Sequence, residues 1–406
     1  MNDSDRQLVK FTSLSHALFH GYELSIPLFI GFWITEMNTS AAMLGTIVAI
    51  GYGLIGLGGP VMGVLADHYN SKHLILLSAT GMGTGFALLS TAQNLYMLTI
   101  AIVIWGVCAS VYHPAGLSVI SRSAENRGMV FAYHGAGGNI GTAAGPILTI
   151  VMLVFLDWQT AALILSIPAF LTTVIGFRMT IHTGNISETS LRSEFRNTIG
   201  TVVTIFNVVF ILAFLSVILY GIYYRGLLTF LPEVLSDLDT GFTLGVSAGQ
   251  EVFDTGQLMY TVLLTVGIFG QYVGGRLTNH VSSSLAFAGA LASLGFLGFF
   301  FPVAYHFGAI SMLVVSLLIG FVMYGTAPIY QVVIADYSPS ESHGISYGLT
   351  YLAMFGVGAT GASLAGIVLT YASYHVLFLL LGTLVFAGVG SMLLLRYSHS
   401  ETNKRE

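Results

Sequence analysis

The sequence predicts an all-α membrane protein: twelve transmembrane helices in two pseudo-symmetric six-helix bundles, with both termini in the cytoplasm. Three observations carry that expectation. The 406 residues are 55% hydrophobic and only 8% charged, against about 25% charged in a soluble chain, and mean hydropathy is +0.82. Apolar runs long enough to span a bilayer, roughly 20 residues each, recur along the whole chain. The second half of the chain repeats motifs of the first.

The runs fall at 11–35, 41–66, 73–92, 95–120, 129–154 and 158–180, then at 203–233, 255–277, 284–304, 308–336, 345–371 and 375–396. The polar stretch "HTGNISETSLRSEFRNTIG", residues 182–200, separates the two sets and reads as a cytoplasmic linker. The chain therefore divides into a bundle at 1–181, a linker at 182–202 and a second bundle at 203–406. A second gap, 236–254, is acidic and lacks Lys and Arg. Forty-eight glycines suit closely packed membrane helices.

Orientation follows from the excess of basic residues on the cytoplasmic side of membrane proteins. With the N-terminus inside, Arg6, Lys10, Lys72, Arg122, Arg127, Arg178, Arg192, Arg196, Arg276, Arg396, Lys404 and Arg405 all fall at that side. Only Arg225, the last of the 13 basic residues, lies within a span. The N-terminus lacks the form of a cleavable signal peptide. A net charge of −5 without a long basic run points away from nucleic acid, and the single cysteine, Cys108, excludes an internal disulfide.

The repeats are local and specific. "GVLADH" (63–68) after the second span matches "GRLTNH" (275–280) after the eighth, an offset of 212. Gly106 to Pro114 in the fourth span matches Gly320 to Pro328 in the tenth, an offset of 214. Six plus six helices with parallel repeats is the plan of a major facilitator transporter. Pro114 and Pro328 are thus architectural, each freeing a carbonyl and bending a helix. His113 has Ala327 at its mirrored place, so the repeat does not demand a histidine there.

Polar groups at membrane depth are few and invite a functional reading. His16, His20 and Glu23 are spaced i, i+4, i+7 on one face of the first helix, roughly 8, 14 and 18 Å from its inner end. His113 sits about 10 Å from the inner end of the fourth span and His134 about 8 Å into the fifth. Histidine changes charge between about pH 5 and 8, which suits proton exchange; clustered histidines also suit a transition metal. Arg225 lies in "YGIYYRGLLTFLP", among Tyr223, Tyr224 and Phe230, which can line an apolar pocket. His20 and Arg225 both precede a proline by seven residues, Pro27 and Pro232. A buried arginine needs a counter-charge or an anionic substrate, and Glu23 is the acid available for it.

Three motifs carry a family resemblance. The loop "GVLADHYNSK" resembles the major facilitator signature between spans two and three. Gly63, Leu65, Ala66, Asp67 and Lys72 match it; His68, Asn70 and Ser71 depart from it. Gly63 is expected to allow close helix approach and Asp67 to latch the cytoplasmic gate. Asn279 stands for Asp67 in the second copy. "GAGGNIGTAAGP" (135–146) resembles the antiporter motif of the fifth helix, with Gly137, Gly141 and Gly145 on one face and Pro146 able to bend it. Together with "SLSHALFH" (13–20) and "VYHPAG" (111–116), this resembles the fosmidomycin-resistance-type branch. That branch usually carries Asp where this chain has His20, and can carry Glu and Arg at the places of Ala115 and Ser118.

The resemblance implies spans one, four and five around one cavity, and a proton-driven exporter in the cytoplasmic (inner) membrane. Glu23, His16, His20, His113 and His134 are expected to couple protons. Arg225, Tyr112, Tyr223, Tyr224, Phe230 and Asn139 are expected to meet an amphipathic or anionic small molecule. Gly63, Asp67, Lys72, Asn279, Gly145 and Pro146 are expected to gate. No cofactor is expected beyond the proton gradient; the partners are substrate, protons and membrane lipid, and the chain is read as a monomer. The alternatives are an organic-anion uptake symporter, a metal or metal-chelate transporter, or a non-transporting sensor on the same scaffold. No nucleophile–base set or nucleotide loop suggests an enzyme.

Overall fold

The computed structural model describes residues 1–183, 190–237, 247–248, 251–252, 254–338 and 343–402. Most of the acidic gap 236–254 and part of the linker 182–202 lie outside the described residues. Those described are almost wholly helical. The exception is a two-residue antiparallel ladder, Ser247–Ala248 against Glu251–Val252.

The helices are α1 (Asp3–Ser25), α2 (Ile30–Glu36), α3 (Ala41–His68), α4 (Ser71–Leu89), α5 (Leu95–Ala109), α6 (Tyr112–Ser123), α7 (Arg127–Phe155) and α8 (Trp158–Arg178). They continue as α9 (Leu191–Ile205), α10 (Val208–Asp237), α11 (Thr255–Leu277), α12 (Ser283–Tyr305), α13 (Ala309–Asp336), α14 (His343–Tyr351), α15 (Thr360–Tyr371) and α16 (Tyr374–Thr402). Among the described residues, eleven helical stretches are long and apolar enough to cross a membrane. The predicted third span is α4, only 19 residues long and opening on Lys72 and His73, and it is not among the eleven.

Polar residues between the spans start the helices. Asn2, Asn70, Asn94, Asn126, Asp157 and Asp254 each accept a backbone N–H of the following turn, satisfying donors that a helix start leaves orphaned. The bond from Thr160 N–H holds the exposed Asp157 carboxyl below its usual range. The Asn2 cap starts α1 eight residues before the predicted start at 11, because a hydropathy reading misses a polar first turn. Pro27 turns the end of α1 into a 3₁₀ turn, Ile26–Phe29.

Three other expectations change. Pro114 does more than bend the fourth span: the helix stops at Ala109 and restarts at Tyr112, since a proline cannot donate to the carbonyl four residues back. Its counterpart Pro328 lies inside the unbroken α13. Helix α9 starts in the linker and runs three residues into the predicted seventh span, and its apolar positions 191, 195, 199 and 202 recur at helical spacing within a polar sequence. The eleventh predicted span is broken by a π-turn at Leu352–Val357.

Two compact units emerge, one of Met1–Thr39 with Ile50–Arg196, the other of Ser40–Ala49 with Asn197–Glu406. Close glycine contacts hold the first unit together. A Cβ at Gly137 would lie 2.6 Å from the Ser13 carbonyl oxygen, one at Gly141 2.6 Å from the Ala17 Cα, and one at Gly145 2.7 Å from the Gly21 oxygen. The predicted glycine face of α7 thus lies on residues 13, 17 and 21 of α1, backbone against backbone. Ser25 and Thr149 extend the seam with a 2.8 Å hydrogen bond. In the second unit α10 packs in a similar way on the segment 353–361, through Gly221, Gly226, Gly358 and Gly361.

Candidate functional site

The α1–α7 seam and the break before α6 bring four histidines together inside the first unit. The His16 ring lies 4.8 Å from His20, 5.0 Å from His113 and 4.1 Å from His134, stacked on the last at 13°. Hydrogen bonds order them into a chain. Glu23 Oε2 is 2.7 Å from His20 Nδ1, His20 Nε2 is 3.1 Å from His16 Nε2, and His16 Nδ1 is 2.8 Å from the His134 carbonyl oxygen. His16, His113, His134 and Glu23 are buried, while the His20 side chain is 22% exposed. The helix restart places His113 in the first turn of α6, edge-on to His16. Ring nitrogens of His16, His20 and His113 lie within 4.8 Å of one another, a spacing that could also hold a metal ion.

The chain has a defined polarity. A carbonyl oxygen only accepts, so His16 Nδ1 carries its hydrogen and, in the neutral ring, Nε2 presents a lone pair. With His16 neutral, the 3.1 Å contact is a hydrogen bond only if His20 Nε2–H donates. With that hydrogen in place, the 2.7 Å contact at His20 Nδ1 needs one more. It is either an imidazolium N–H donating to a carboxylate or a carboxylic O–H donating to a neutral ring. Both assignments carry the same proton count.

Two other expected residues of the first unit lie on the helices that build this cluster. The Tyr112 hydroxyl donates to the Thr12 carbonyl oxygen, and its ring is fully buried beside His16. Asn139 is half-buried on α7, next to Gly138, whose Cβ would meet the His16 ring.

In the second unit Arg225 is 1% exposed. Its Cζ lies 5.3 Å from the Tyr224 ring centre and 4.9 Å from that of Phe355. The Tyr224 and Tyr324 hydroxyls are 3.4 Å apart. The expected pocket residues divide here. Tyr224 is half-buried, whereas Tyr223 and Phe230 are fully buried, and the Tyr223 hydroxyl points to the Leu294 carbonyl oxygen at 3.5 Å.

The signature loop has a partner that the loop motif itself does not contain. Arg122 Nη2 donates to the Ala66 carbonyl oxygen at 2.8 Å and to Ser71 Oγ at 2.7 Å, while its Nη1 lies 3.4 Å from Asp67 Oδ1. Ser118 Oγ donates to the same Asp67 oxygen at 3.1 Å. Lys72 does not join this network: its Nζ caps the end of α8, donating to Phe177 and Met179 carbonyl oxygens at 3.1 and 2.7 Å. Among the described residues of its own unit nothing lies within 4 Å of a Cβ built on Gly63, so the expected close approach is not made there. Pro146 lies inside the unbroken α7.

The second copy reverses the charge. Asn279 is exposed, its N–H bonded to the Arg276 carbonyl. The network there is Ser283 Oγ donating to Asp336 Oδ2, with Arg396 donating to Ser282 Oγ at 2.8 Å. The repeat offsets take Ser71 to Ser283 and Arg122 to Asp336 (71 + 212, 122 + 214), so applying them to charged residues would have found Arg122. Asp5 was also missed; it is 2% exposed and accepts the N–H groups of Glu125 and Asn126 at 3.1 Å.

Many apolar helices in two units, each with ionisable side chains buried at span depth, describe a multi-pass membrane transporter. The chain belongs to the major facilitator superfamily, whose family model matches residues 13–362. It is 30% identical over 128 residues to the uncharacterized MFS-type transporter YqjV of Bacillus subtilis, an alignment spanning 31% of each chain. It is 21% identical to the fosmidomycin resistance protein of Escherichia coli, over 96% of this chain and 93% of that one. Among solved structures, the nucleoside transporter NupG superposes with a TM-score of 0.77 at 11% identity, over 97% of this chain and all of that one; that likeness concerns the fold alone.

Proposed function

We propose that this protein is a proton-driven exporter of a small organic anion, with twelve spans and both termini cytoplasmic, working by alternating access as a monomer in the cytoplasmic (inner) membrane. The observation that carries it is the chain Glu23–His20–His16–His134 carbonyl, which is satisfied when it holds one mobile proton. When that proton leaves, the single N–H of neutral His20 can serve one contact only: either its Nδ1 lone pair faces the Glu23 carboxylate at 2.7 Å or two Nε2 lone pairs face each other 3.1 Å apart, and the rings must move. Proton occupancy is thereby tied to the position of α1 and, through His113 and His134, of α6 and α7. No cofactor takes part.

Glu23 and His20 exchange the proton, His16 receives it, and His113, 5.6 Å from His20, is the next group in reach. Tyr112 and the His134 ring pack the wire in place. Arg225 takes the negative charge of the substrate. Asp67 and Arg122 latch the cytoplasmic side. The drug-resistance name of the Escherichia coli relative supports export over uptake, as does the glycine face of α7, which resembles the family's antiporter motif.

Everted vesicles test the reading. Addition of a transported organic anion should dissipate a preformed proton gradient, and the anion should accumulate inside. Accumulation only in right-side-out vesicles identifies the uptake symporter instead. Zinc accumulation without an organic anion identifies the metal reading.

A further inference from the structure

The second unit carries a feature that the transport reading leaves unused: the π-turn Leu352–Val357 and the aromatic ring it sets over Arg225. An α-helical turn that widens by one residue rotates the rest of the helix by about 100°, and π-turns are frequent at functional sites. This one is clamped to α10. A Cβ at Gly221, one turn before Arg225, would lie 3.1 Å from the Met354 Cα and 3.2 Å from the Ala353 oxygen. The turn and the guanidinium are therefore fixed at the same level, with Phe355 4.9 Å from Arg225 Cζ.

Burial separates the aromatics of this region into two groups. Tyr220 and Tyr223 are fully buried, and their hydroxyls are directed to the carbonyls of Met323 and Leu294. Tyr224, Tyr324, Tyr351 and Phe355 are half-buried. They form two pairs beside the cation: Tyr224 edge-on to Tyr324 at 6.1 Å, and Tyr351 stacked on Phe355 at 5.6 Å and 15°. An arginine fork matches the geometry of a carboxylate, and two of these rings lie within 5.3 Å of Arg225 Cζ. An anion docked there has partly exposed ring surface next to it.

We infer that Arg225, Phe355, Tyr224 and Tyr324 form a subsite for aromatic carboxylates, in which Phe355 selects a flat ring next to the carboxylate. The inference rests on the proposed role of Arg225 in substrate binding and adds the chemical class. Phe355 contacts the ring of the ligand; the carboxylate alone is held by Arg225.

The test uses the full chain in detergent and reads affinity by calorimetry for benzoate, cyclohexanecarboxylate and benzamide. Wild type binds benzoate more tightly than cyclohexanecarboxylate, and benzamide weakest. Phe355→Leu lowers benzoate affinity about fivefold, in line with the size of aromatic pair contacts, and leaves cyclohexanecarboxylate within about twofold. Phe355→Tyr keeps the wild-type preference, and Tyr223→Phe, at a buried ring, leaves it unchanged. Benzoate binding that Arg225→Gln does not weaken contradicts the role of Arg225 in the proposed function. Arg225-dependent binding with an unaltered benzoate preference in Phe355→Leu overturns the aromatic subsite alone. A wild type that binds neither acid overturns it as well.

Discussion

His16 and His134 are joined twice: their rings stack 4.1 Å apart, and His16 Nδ1 donates to the His134 carbonyl oxygen at 2.8 Å. The second contact uses the backbone, so it fixes the His16 tautomer whatever side chain residue 134 carries. His134→Phe, which keeps both the carbonyl and a stacking ring, should retain proton-coupled transport with its pH profile. His16→Phe should lose coupling. Loss of coupling in His134→Phe, with normal folding, would show that the His134 ring itself carries the proton.

The latch prediction separates stability from gating. The Asp67 side chain is 48% exposed and lies 3.4 Å from Arg122, and exposed ion pairs contribute about 0–1 kcal/mol. Asp67→Asn should melt within about 2 °C of wild type yet increase labelling of a cysteine placed at Ser13 by a thiol reagent applied to everted vesicles. Arg122→Ala removes bonds to the Ala66 carbonyl and Ser71 as well, and should lower both melting temperature and transport. Wild-type labelling in Asp67→Asn would count against the latch.

Close backbone contact predicts a sharp contrast between two glycines of α7. At Gly141 a methyl group would meet the α1 backbone, which cannot give way as a flexible side chain can. Gly141→Ala should cost about 1–3 kcal/mol, the usual penalty of overpacking. Among the described residues nothing lies within 4 Å of a Cβ on Gly135, so Gly135→Ala should be neutral or slightly stabilising through better helix propensity. Equal melting of the two variants would mean that the α1–α7 seam is looser than described.

Much of this was legible from spacing. The i, i+4, i+7 set of His16, His20 and Glu23 already required one helix face. That His113 and His134 belong beside it depended on which helices are neighbours, which periodicity does not contain and the family resemblance supplied. Pro114 marked a disturbance in the fourth span, but the same signal at Pro328 overstated it, since α13 runs through that proline unbroken. Arg122 escaped because a basic residue at the inner end of a span is already explained by topology. Phe355 escaped because a π-turn adds a residue to a helix without leaving a period in the sequence.

Topology can be checked across one span. Cysteines replacing Gln93 and Glu125, on either side of α5–α6, should label from opposite faces of the membrane in a Cys108→Ala background. Glu125 should be reached only from the cytoplasm, in keeping with the basic residues around it. Labelling of both from one face would overturn the assigned crossing.

The proton wire is tested most directly at Glu23. A glutamine there can donate its amide N–H to His20 Nδ1, leaving His20 Nε2–H to bond His16, so Glu23→Gln completes the chain with no mobile proton. We expect this variant to bind substrate with little pH dependence and to exchange it in counterflow at close to the wild-type rate. We expect it to show no accumulation under an imposed pH gradient. The measurement is gradient-driven uptake into everted vesicles beside counterflow in the same preparation. Survival of counterflow with loss of at least about 90% of gradient-driven uptake is the predicted result; a folded Glu23→Gln protein that pumps at the wild-type rate under the gradient would contradict the account.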